Sequence, residues 1–431
     1  MSKEENRKNF SKYVSQNILG MIGFSCYVLA DSYFISIAKG ADGLTALNLV
    51  MPLYSIIFSI GEMIGVGSAI RYAIGKIKKD ADADDYFWNA IIWCILSSML
   101  FVFAGIFFSA DIMRILGADE HIVAVGNNYT KIFMCFAPMF MCNYVTNAFV
   151  RNDGAPGIAM SATLFSSLFN IVFDYILMFP MNLGMEGAAL ATALSPIIGM
   201  GICSIHFFSK KSSVRLVVCK PSVRKLVAGS QLGVSAFVGE MSSAVITLAF
   251  NFVILKLAGN VGVAAYGVVA NIAIVTTAVF NGVAQGSQPL ISSCFGRGDK
   301  DGCTQLKRMG YTTAFVLAAV MYSILFIFAG QFVAVFNSEG SEMLRIYATE
   351  GVKLYFIGIF FAGINIVGGG AFSATENAFK AAVVSVARGF VLILGAVFVM
   401  SALFGMTGVW LAYAVAEGIT TFIMLVMALR V

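Results

Sequence analysis

The chain has 431 residues, of which 59% are hydrophobic and only 12% are charged. Soluble domains carry roughly 25% charged residues, and a soluble core could not hide this much apolar surface, so the composition excludes an ordinary soluble protein. The net charge of +5 matters only through where the basic residues fall, and it gives no reason to expect a nucleic-acid partner.

The chain begins with a polar, charged stretch (MSKEENRKNFSK) that has no short apolar core and no cleavage site after it, which predicts a cytosolic tail rather than a signal peptide. Beyond it, a membrane-spanning helix needs about 20 mostly apolar residues. Twelve segments qualify, near 13–38, 46–71, 87–110, 124–149, 157–179, 184–209, 229–257, 262–286, 309–334, 346–372, 379–403 and 405–430. Such uninterrupted runs do not fit barrel strands, so we predict an all-α membrane protein with 12 transmembrane helices.

The basic residues are distributed unequally between the two sides of the membrane. If the N-terminus is inside, 22 of the 28 Lys and Arg residues fall in the tails and the even-numbered loops. The other six are Lys39, Arg114, Lys131, Lys256, Arg345 and Lys353. Because inside loops are enriched in Lys and Arg, we predict a multi-pass protein of the cell (inner or plasma) membrane with both termini cytoplasmic.

Two sequence matches relate the first half of the chain to the second. Gly43, Ala46, Val50, Gly67 and Ser68 recur 219 residues later as Gly262, Ala265, Val269, Gly286 and Ser287. The stretch 184–193 recurs as 405–414 with six identities in ten positions. Six helices in each half give both halves one orientation, which predicts two six-helix bundles related by a parallel internal repeat. We predict an N-lobe at 1–211, a basic cytoplasmic linker at 212–228 and a C-lobe at 229–431.

Motifs of several other protein classes are missing from the sequence. The eight cysteines form no CxxC pair and mostly lie in apolar runs, so we interpret them as small buried side chains. With only two histidines, a histidine-built metal site is not expected. There is no P-loop, nucleophile elbow or metalloprotease signature. We therefore expect neither an enzyme nor an ATP-driven pump, and no cofactor.

Four oxygen-bearing side chains stand inside hydrophobic segments, where charge is costly: Asp31, Asn170, Asp174 and Thr192. Counted from the segment ends at 1.5 Å per residue, all four lie roughly 8–14 Å below the outer boundary. Asn170 and Asp174 are four residues apart and share one helix face, and a tight turn joins their helix to that of Thr192. Asp31 joins them only through the argument that its carboxylate needs a partner.

The chemistry of this set suits a cation. Two carboxylates that face each other in an apolar interior repel, so either a cation bridges them or one of them holds a proton. Na⁺ would want several oxygen ligands, which the carboxylates, the amide and the hydroxyl supply. Alternatively, these groups only hydrogen-bond adjacent helices together. The second half has no copy of the set, since Thr192 corresponds to Tyr413 and the region matching Asp174 (LILGAVFVM) is apolar.

Two further acids, Glu62 and Glu240, also lie within predicted helices and are weaker candidates for binding a substrate. A buried acid between the two halves would suit a cationic substrate. Glu62 could equally hydrogen-bond a neighbour or face water on the inside. Some of the 38 Phe and 22 Met residues could line an adaptable cavity, although most must face lipid or the core.

Taken together, several motifs resemble the multidrug and toxic compound extrusion (MATE) family, specifically a prokaryotic member. They are 30–34 (ADSYF) in segment 1, 151–160 (RNDGAPGIAM) before segment 5, Asn170 with Asp174, and 187–192 (GAALAT) in segment 6. The resemblance covers essentially the whole chain. It implies a secondary transporter that exports hydrophobic, often cationic drugs by alternating access, coupled to inward movement of Na⁺ or H⁺.

The resemblance also implies roles for individual residues. It assigns cation binding or proton coupling to the set Asp31, Asn170, Asp174 and Thr192. Some members also use a glutamate on helix 7, which Glu240 matches, together with an aspartate on helix 10. Segment 10 here (KLYFIGIFFAGINIVGGGAF) has no aspartate, which favours coupling through the first half. Drugs and membrane lipid are the implied partners, and we expect a monomer.

Three alternatives stay open. A lipid-linked oligosaccharide flippase of the same superfamily would often need basic residues in its cavity, whereas nearly all of them lie in loops here; Lys131, Lys256 and Lys353 are the open cases. A carrier of the major facilitator type would carry Gly-x-x-x-Asp-Arg between segments 2 and 3, and RYAIGKIKKDADADD lacks it. A receptor that transports nothing is the third.

Overall fold

The structure, a computed structural model, describes residues 3–215, 217–336 and 341–429. Almost all of them are helical, which confirms the predicted all-helical class. In chain order the helices are α1 (Lys3–Lys78), α2 (Asp85–Ile115), α3 (Glu120–Cys135), α4 (Ala137–Asn152), α5 (Pro156–Met178), α6 (Gly184–Phe207), α7 (Val223–Gly296), α8 (Lys300–Ile327), α9 (Ala329–Phe336), α10 (Glu342–Tyr355), α11 (Ile359–Ala374), α12 (Ala378–Val386) and α13 (Leu392–Leu429). A 3₁₀ turn at Phe356–Gly358 links α10 to α11, and a π-helical turn at Ala387–Val391 links α12 to α13.

Three long helices each break at a glycine. The breaks lie at Gly40 in α1 (φ 59°, ψ −142°), at Gly259 in α7 (φ 63°, ψ −158°) and at Gly405 in α13 (φ 59°, ψ −136°). An added Cβ would meet no described atom within 4 Å at any of the three. The positive φ, which only glycine adopts at little cost, is therefore what requires glycine at these positions.

These breaks repeat along the chain. Gly259 follows Gly40 by 219 residues, and Gly405 follows Gly184, which also has a positive φ of 53°, by 221 residues. The first offset equals that of one of the two sequence matches, and the second is that of the match between 184–193 and 405–414. The two halves of the chain therefore share backbone conformation as well as sequence at these glycines.

The helices are those of a multi-pass membrane protein. Within the described ranges, nine helical runs are long and apolar enough to cross a membrane. The pair α3–α4 makes a tenth if the 46° bend between the two helices lies within one span. In this number α7, which has 74 residues, counts once, and so does the run from α12 to α13. Each of these two runs contains a boundary between two segments predicted from the sequence.

The polar N-terminal residues, predicted as a tail, are helical and bonded. On α8, Gln305 donates from Nε2 to the carbonyl oxygen of Lys3 at 2.9 Å, and Asn6 donates from Nδ2 to Gln305 Oε1 at 3.2 Å. Lys, Glu and Arg are good helix formers, so this stretch extends α1 towards the N-terminus.

The chain forms two compact units. The N unit consists of 15–237 and 292–299, and the C unit consists of the residues up to 14, 238–291 and the residues from 300 onward. The first turns of α1 thus belong to the C unit, and the first part of α7 belongs to the N unit. The lobe boundaries predicted from the sequence stay a prediction.

Within the N unit, the turn between α5 and α6 positions much of the candidate site. Asn182 and Gly184 both have a φ of 53°, which lets the chain reverse direction in a few residues. A Cβ at Gly187 would lie 2.8 Å from the carbonyl carbon of Leu177. Glycine therefore allows α5 and α6 to approach to backbone contact, as small residues do between membrane helices.

A second close approach joins α1 to the start of α7 within the N unit. A Cβ at Gly67 would lie 2.0 Å from the carbonyl oxygen of Gly229, and a Cβ at Gly233 would lie 1.9 Å from the carbonyl oxygen of Met63. Neither position has room for a side chain, because the atoms in the way are backbone atoms.

We predict that Gly233→Ala destabilises the protein, since the two helices must move apart to admit the methyl group. The expected cost is about 1–3 kcal/mol, typical of an overpacked contact. The measurement is the midpoint of thermal unfolding of purified protein in detergent.

Gly239→Ala is the matched control on α7, because an added Cβ there meets no described atom within 4 Å. It should leave the midpoint unchanged or raise it, since alanine favours a helix over glycine by about 1 kcal/mol. An equal loss in both variants would contradict the close approach.

Candidate functional site

The four polar residues predicted to form a site all lie buried in the N unit. Asp31 is on the first part of α1, Asn170 and Asp174 are one turn apart on α5, and Thr192 is on α6. Their exposed fractions are 6%, 0%, 0% and 1%. Their burial agrees with the depth argued from the sequence.

Asn170 connects the polar groups of α5 and α6. With its amide nitrogen turned towards α5, Asn170 donates to Asp174 Oδ2 at 3.1 Å. Its oxygen then accepts from the hydroxyl of Thr192 at 3.2 Å and from the backbone N–H of Thr192 at 3.3 Å. This orientation gives every polar atom of the amide a partner of the right kind, so Asn170 and Thr192 hold one oxygen of Asp174 in place.

Each of the two carboxylates keeps an unsatisfied oxygen. Asp31 Oδ1 and Asp174 Oδ1 are buried and have no hydrogen-bond partner among the described residues. The charges of Asp31 and Asp174 also act on each other, which brings α1 to the α5–α6 pair. Two buried carboxylates without counter-charge are costly, so this arrangement favours the uptake of a cation or a proton between them.

A pair of tyrosine hydroxyls lies beside the carboxylates. The hydroxyl of Tyr54, on the second part of α1, is hydrogen-bonded to that of Tyr129 on α3, and the charges of Asp31 and Asp174 act on both. The ring of Tyr54 stacks on Phe133 with centroids 3.6 Å apart. The sequence gave no signal for this pair, because tyrosines are common in apolar segments and only the fold shows which ones meet.

A cleft begins close to the site. It is lined by the end of the first part of α1, including Ile37 and Lys39, and by Met178, Phe179 and the α5–α6 turn at 182–184. Met178 is one helical turn beyond Asp174, so the cleft reaches the residues next to the buried carboxylates.

Glu62, a predicted substrate-binding residue, lies near a resident cation in the N unit. It is half-buried, and its charge acts on Arg151 at the end of α4. Arg151 is only 4% exposed and donates from Nη1 to Asn17 Oδ1 at 3.4 Å. This environment supports the alternative reading of Glu62, in which it pairs with a neighbour.

Glu240, the other predicted substrate-binding residue, belongs to the C unit and is half-buried on α7. The adjacent Gly239 would meet no described atom within 4 Å if it carried a Cβ. The backbone beside Glu240 therefore borders open space, which leaves room for a ligand next to this acid.

The sequence analysis missed a buried polar cluster in the C unit. It comprises Asn365 on α11, Arg388 in the π-helical turn, and Glu417 and Thr421 on α13. Arg388 Nη2 lies 2.8 Å from Glu417 Oε1, and Asn365 donates to Glu417 Oε2 at 2.7 Å. We shall call these four residues the C-unit cluster.

The inside-loop position assumed for Arg388 was wrong, because its side chain pairs with a carboxylate that is 2% exposed. The signal that would have found the cluster was present. Glu417 is an acid inside segment 12, and the cost argument applied to Asp31 applies equally to it. The helix 10 aspartate expected from some family members has no counterpart in the cluster, where segment 10 contributes Asn365.

No group of three or more His, Cys, Asp or Glu side chains arranged to hold a metal occurs in the described part of the chain. A metal ion at the four-residue site would thus depend on the two carboxylates together with neutral oxygens. The orphaned carboxylate oxygens fit that role, and so does a bound proton.

Comparisons with known proteins point to one family. The MatE family model matches residues 17–176 and 236–399, well over half of the chain. The multidrug export protein MepA of Staphylococcus saprophyticus is 26% identical over 410 residues, which cover 93% of this chain and 89% of that protein. MepA of Staphylococcus aureus strain MRSA252 is 27% identical over 414 residues with the same coverage.

Solved structures share the fold. A multidrug resistance MATE family transporter of the MOP superfamily in an outward-facing conformation has a TM-score of 0.92 at 20% identity, covering 99% of this chain and 96% of that one. A MOP superfamily transporter from Pyrococcus furiosus, whose binding pocket is described as having reverse polarity, has a TM-score of 0.90 at 19% identity, covering 98% and 95%. At these identities the likeness concerns the fold alone.

We predict that Asn170→Leu destabilises the protein, because it removes the donor to Asp174 and the acceptor for the Thr192 hydroxyl. A buried polar group left without its partner costs about 1–3 kcal/mol. The readout is again the midpoint of thermal unfolding in detergent.

Ser204→Ala on α6 serves as the control, since the Ser204 hydroxyl only donates to Gly201 O within its own helix. This variant should unfold at the original temperature. If Asn170→Leu did so too, the bonding of Asn170 to Asp174 and Thr192 described above would be wrong.

Proposed function

Because the chain belongs to the MatE family, we propose that it is a multidrug efflux transporter of the cell membrane. In this proposal it is an antiporter, which moves hydrophobic or cationic drugs outward while Na⁺ or H⁺ moves inward. Relatives that match 93% of the chain are multidrug export proteins, which supports the substrate class. The observation that carries the coupling is the pair of buried carboxylates, Asp31 and Asp174, each with an oxygen that lacks a partner.

We propose twelve spans for this chain. A helix of 74 residues would be roughly 110 Å long at 1.5 Å per residue, far more than a bilayer of about 30 Å needs. Breaking α7 at Gly259 and the last run at Gly405 turns ten spans into twelve. Two bundles of six helices, a cytoplasmic location of both termini and a monomeric state stay predictions.

The cation does its work by binding one conformation better than the other. A ligand shifts a conformational equilibrium only as far as its affinities for the two states differ. When the site is empty, the carboxylates of Asp31 and Asp174 repel each other, and a cation between them draws α1 towards α5. This change favours the state that releases drug to the outside. The cleft one turn beyond Asp174 gives a cation from outside a route to the site.

The drug site is proposed from charge and space. Glu240 lies beside open space on α7 and would attract the positive charge of a cationic drug. Glu62 already has Arg151 near it, so we place it second. Flexible Met side chains and Phe rings would accommodate drugs of different shapes.

A lipid-linked oligosaccharide flippase is the runner-up. Such a protein would need a cation available for phosphate inside the membrane. Arg388 is the buried cation that the sequence analysis overlooked, and it is paired with Glu417. Because its charge is already matched by a carboxylate, Arg388 does not favour this alternative.

We expect Asp31→Asn and Asp174→Asn each to reduce dye efflux driven by an ion gradient. The loss should be about 5-fold to 150-fold, which corresponds to a coupling free energy of 1–3 kcal/mol. The measurement uses purified protein in lipid vesicles, a fluorescent cationic dye, and Na⁺ and proton gradients imposed separately.

Asp301→Asn is the control, an exposed carboxylate in the first turn of α8, and its efflux should match that of the unmodified protein. Efflux driven by only one of the two gradients identifies the coupling ion. If both site variants kept full, gradient-driven efflux, the proposed site would be wrong. If the unmodified protein moved lipid-linked sugar but no dye, the flippase would replace the antiporter.

A further inference from the structure

The C-unit cluster stands where the internal repeat places a counterpart of the cation site. Thr192 on α6 corresponds to Tyr413 on α13 in the repeat. Arg388 is hydrogen-bonded to Tyr413, and Glu417 lies one helical turn after Tyr413 on the same helix. The helix pair that corresponds to α5 and α6 thus also carries a buried polar centre, but one with different charges.

Both carboxylate oxygens of Glu417 have partners. Oε1 accepts from Arg388 Nε at 2.9 Å and lies 2.8 Å from Arg388 Nη2. Oε2 accepts from Asn365 Nδ2 at 2.7 Å and from Arg388 Nε at 3.2 Å. Asn365 Oδ1 in turn accepts from the hydroxyl of Thr421 at 3.1 Å. The carboxylate is therefore held as an anion by a guanidinium and an amide.

The fold fixes Arg388 at this place. It lies in the π-helical turn, and single π turns inside α-helices often occur at functional sites. A Cβ on the next residue, Gly389, would lie 2.5 Å from the Cβ of Ser242 on α7. This close contact holds the turn against α7, so the guanidinium cannot leave Glu417 without disturbing that packing.

The two halves therefore balance charge in opposite ways. In the N unit, Asp31 and Asp174 bring two carboxylates and no resident cation among their described contacts, and each keeps an orphaned oxygen. In the C-unit cluster, one carboxylate meets one guanidinium, and both carboxylate oxygens are bonded.

We infer that Arg388 is a tethered cation, which occupies beside Glu417 the place that an exchangeable ion takes in the N unit. The second half is thereby held permanently in the charge-matched form. Resting on the proposed function, this assignment gives the transporter one exchangeable cation site per chain, the one at Asp31 and Asp174.

Carbodiimide labelling tests the assignment without requiring transport. Dicyclohexylcarbodiimide adds across the O–H of a protonated carboxyl group in apolar surroundings and leaves a stable N-acylurea after rearrangement, with no leaving group. Full-length protein in detergent is treated at neutral pH, digested and analysed by mass spectrometry. We expect adducts on Asp31 or Asp174 and none on Glu417 in the unmodified protein.

Neutralising the tether should expose Glu417 to the reagent. In Arg388→Gln, which keeps hydrogen-bonding groups and removes the charge, Glu417 should take up a proton, and its labelling should rise at least about tenfold, well within the effect of losing a buried charge partner. Arg388→Met is a second neutral variant with the same expectation. Arg388→Lys keeps a tethered charge and should leave Glu417 unlabelled.

Labelling of Glu417 in the unmodified protein would overturn the inference, and so would an unlabelled Glu417 in both neutral variants. The labelling result is independent of export, so it separates this inference from the proposed function. In the vesicle assay, Arg388→Gln should move one more cation per dye molecule than the unmodified protein. The double variant Arg388→Gln, Glu417→Gln should return to the original ratio.

Discussion

The structure depends on the cost of placing a carboxylate in an apolar interior without a partner of opposite charge. In a chain with 12% charged residues, that cost singles out a few positions. Asp31 and Asp174 are buried in the N unit with an orphaned oxygen each, and Asn170 and Thr192 hold the remaining oxygen of Asp174. Such a site is relieved by binding a cation or a proton, and that requirement is what links ion movement to conformation in the proposed antiporter.

The same cost is met differently in the second half. Glu417 is as deeply buried as the N-unit acids, but Arg388 and Asn365 satisfy both of its oxygens. Glycines with matching conformation mark the repeat at Gly40 and Gly259, so the two halves derive from one pattern of helices. On that common framework, one half has open electrostatics that an external ion can change, and the other half carries its own counter-ion. An asymmetry of this kind suits a transporter that couples through a single site.

Hydropathy alone predicted the helical class, since each apolar run is long enough to be read without tertiary information. Depth and helical spacing were enough to propose that Asp31, Asn170, Asp174 and Thr192 belong together. The π-helical turn and the Arg388–Glu417 pair could not be placed in this way, because a neutral pair reveals itself only when two distant segments are seen to touch. Nor could spacing show that α7 continues through Gly259, where an open surrounding lets the helix bend without a loop.

The central claim is that drug and cation compete through the conformation set at Asp31 and Asp174. Linkage requires each ligand to lower the affinity for the other by the same factor. The most direct measurement is the affinity of purified protein for a fluorescent drug, titrated over a range of Na⁺ concentrations at fixed pH and over a range of pH without Na⁺. The account predicts that affinity falls as one of the two cations increases, and that this dependence disappears in Asp31→Asn and Asp174→Asn. An identical cation dependence in the unmodified protein and both variants would contradict it.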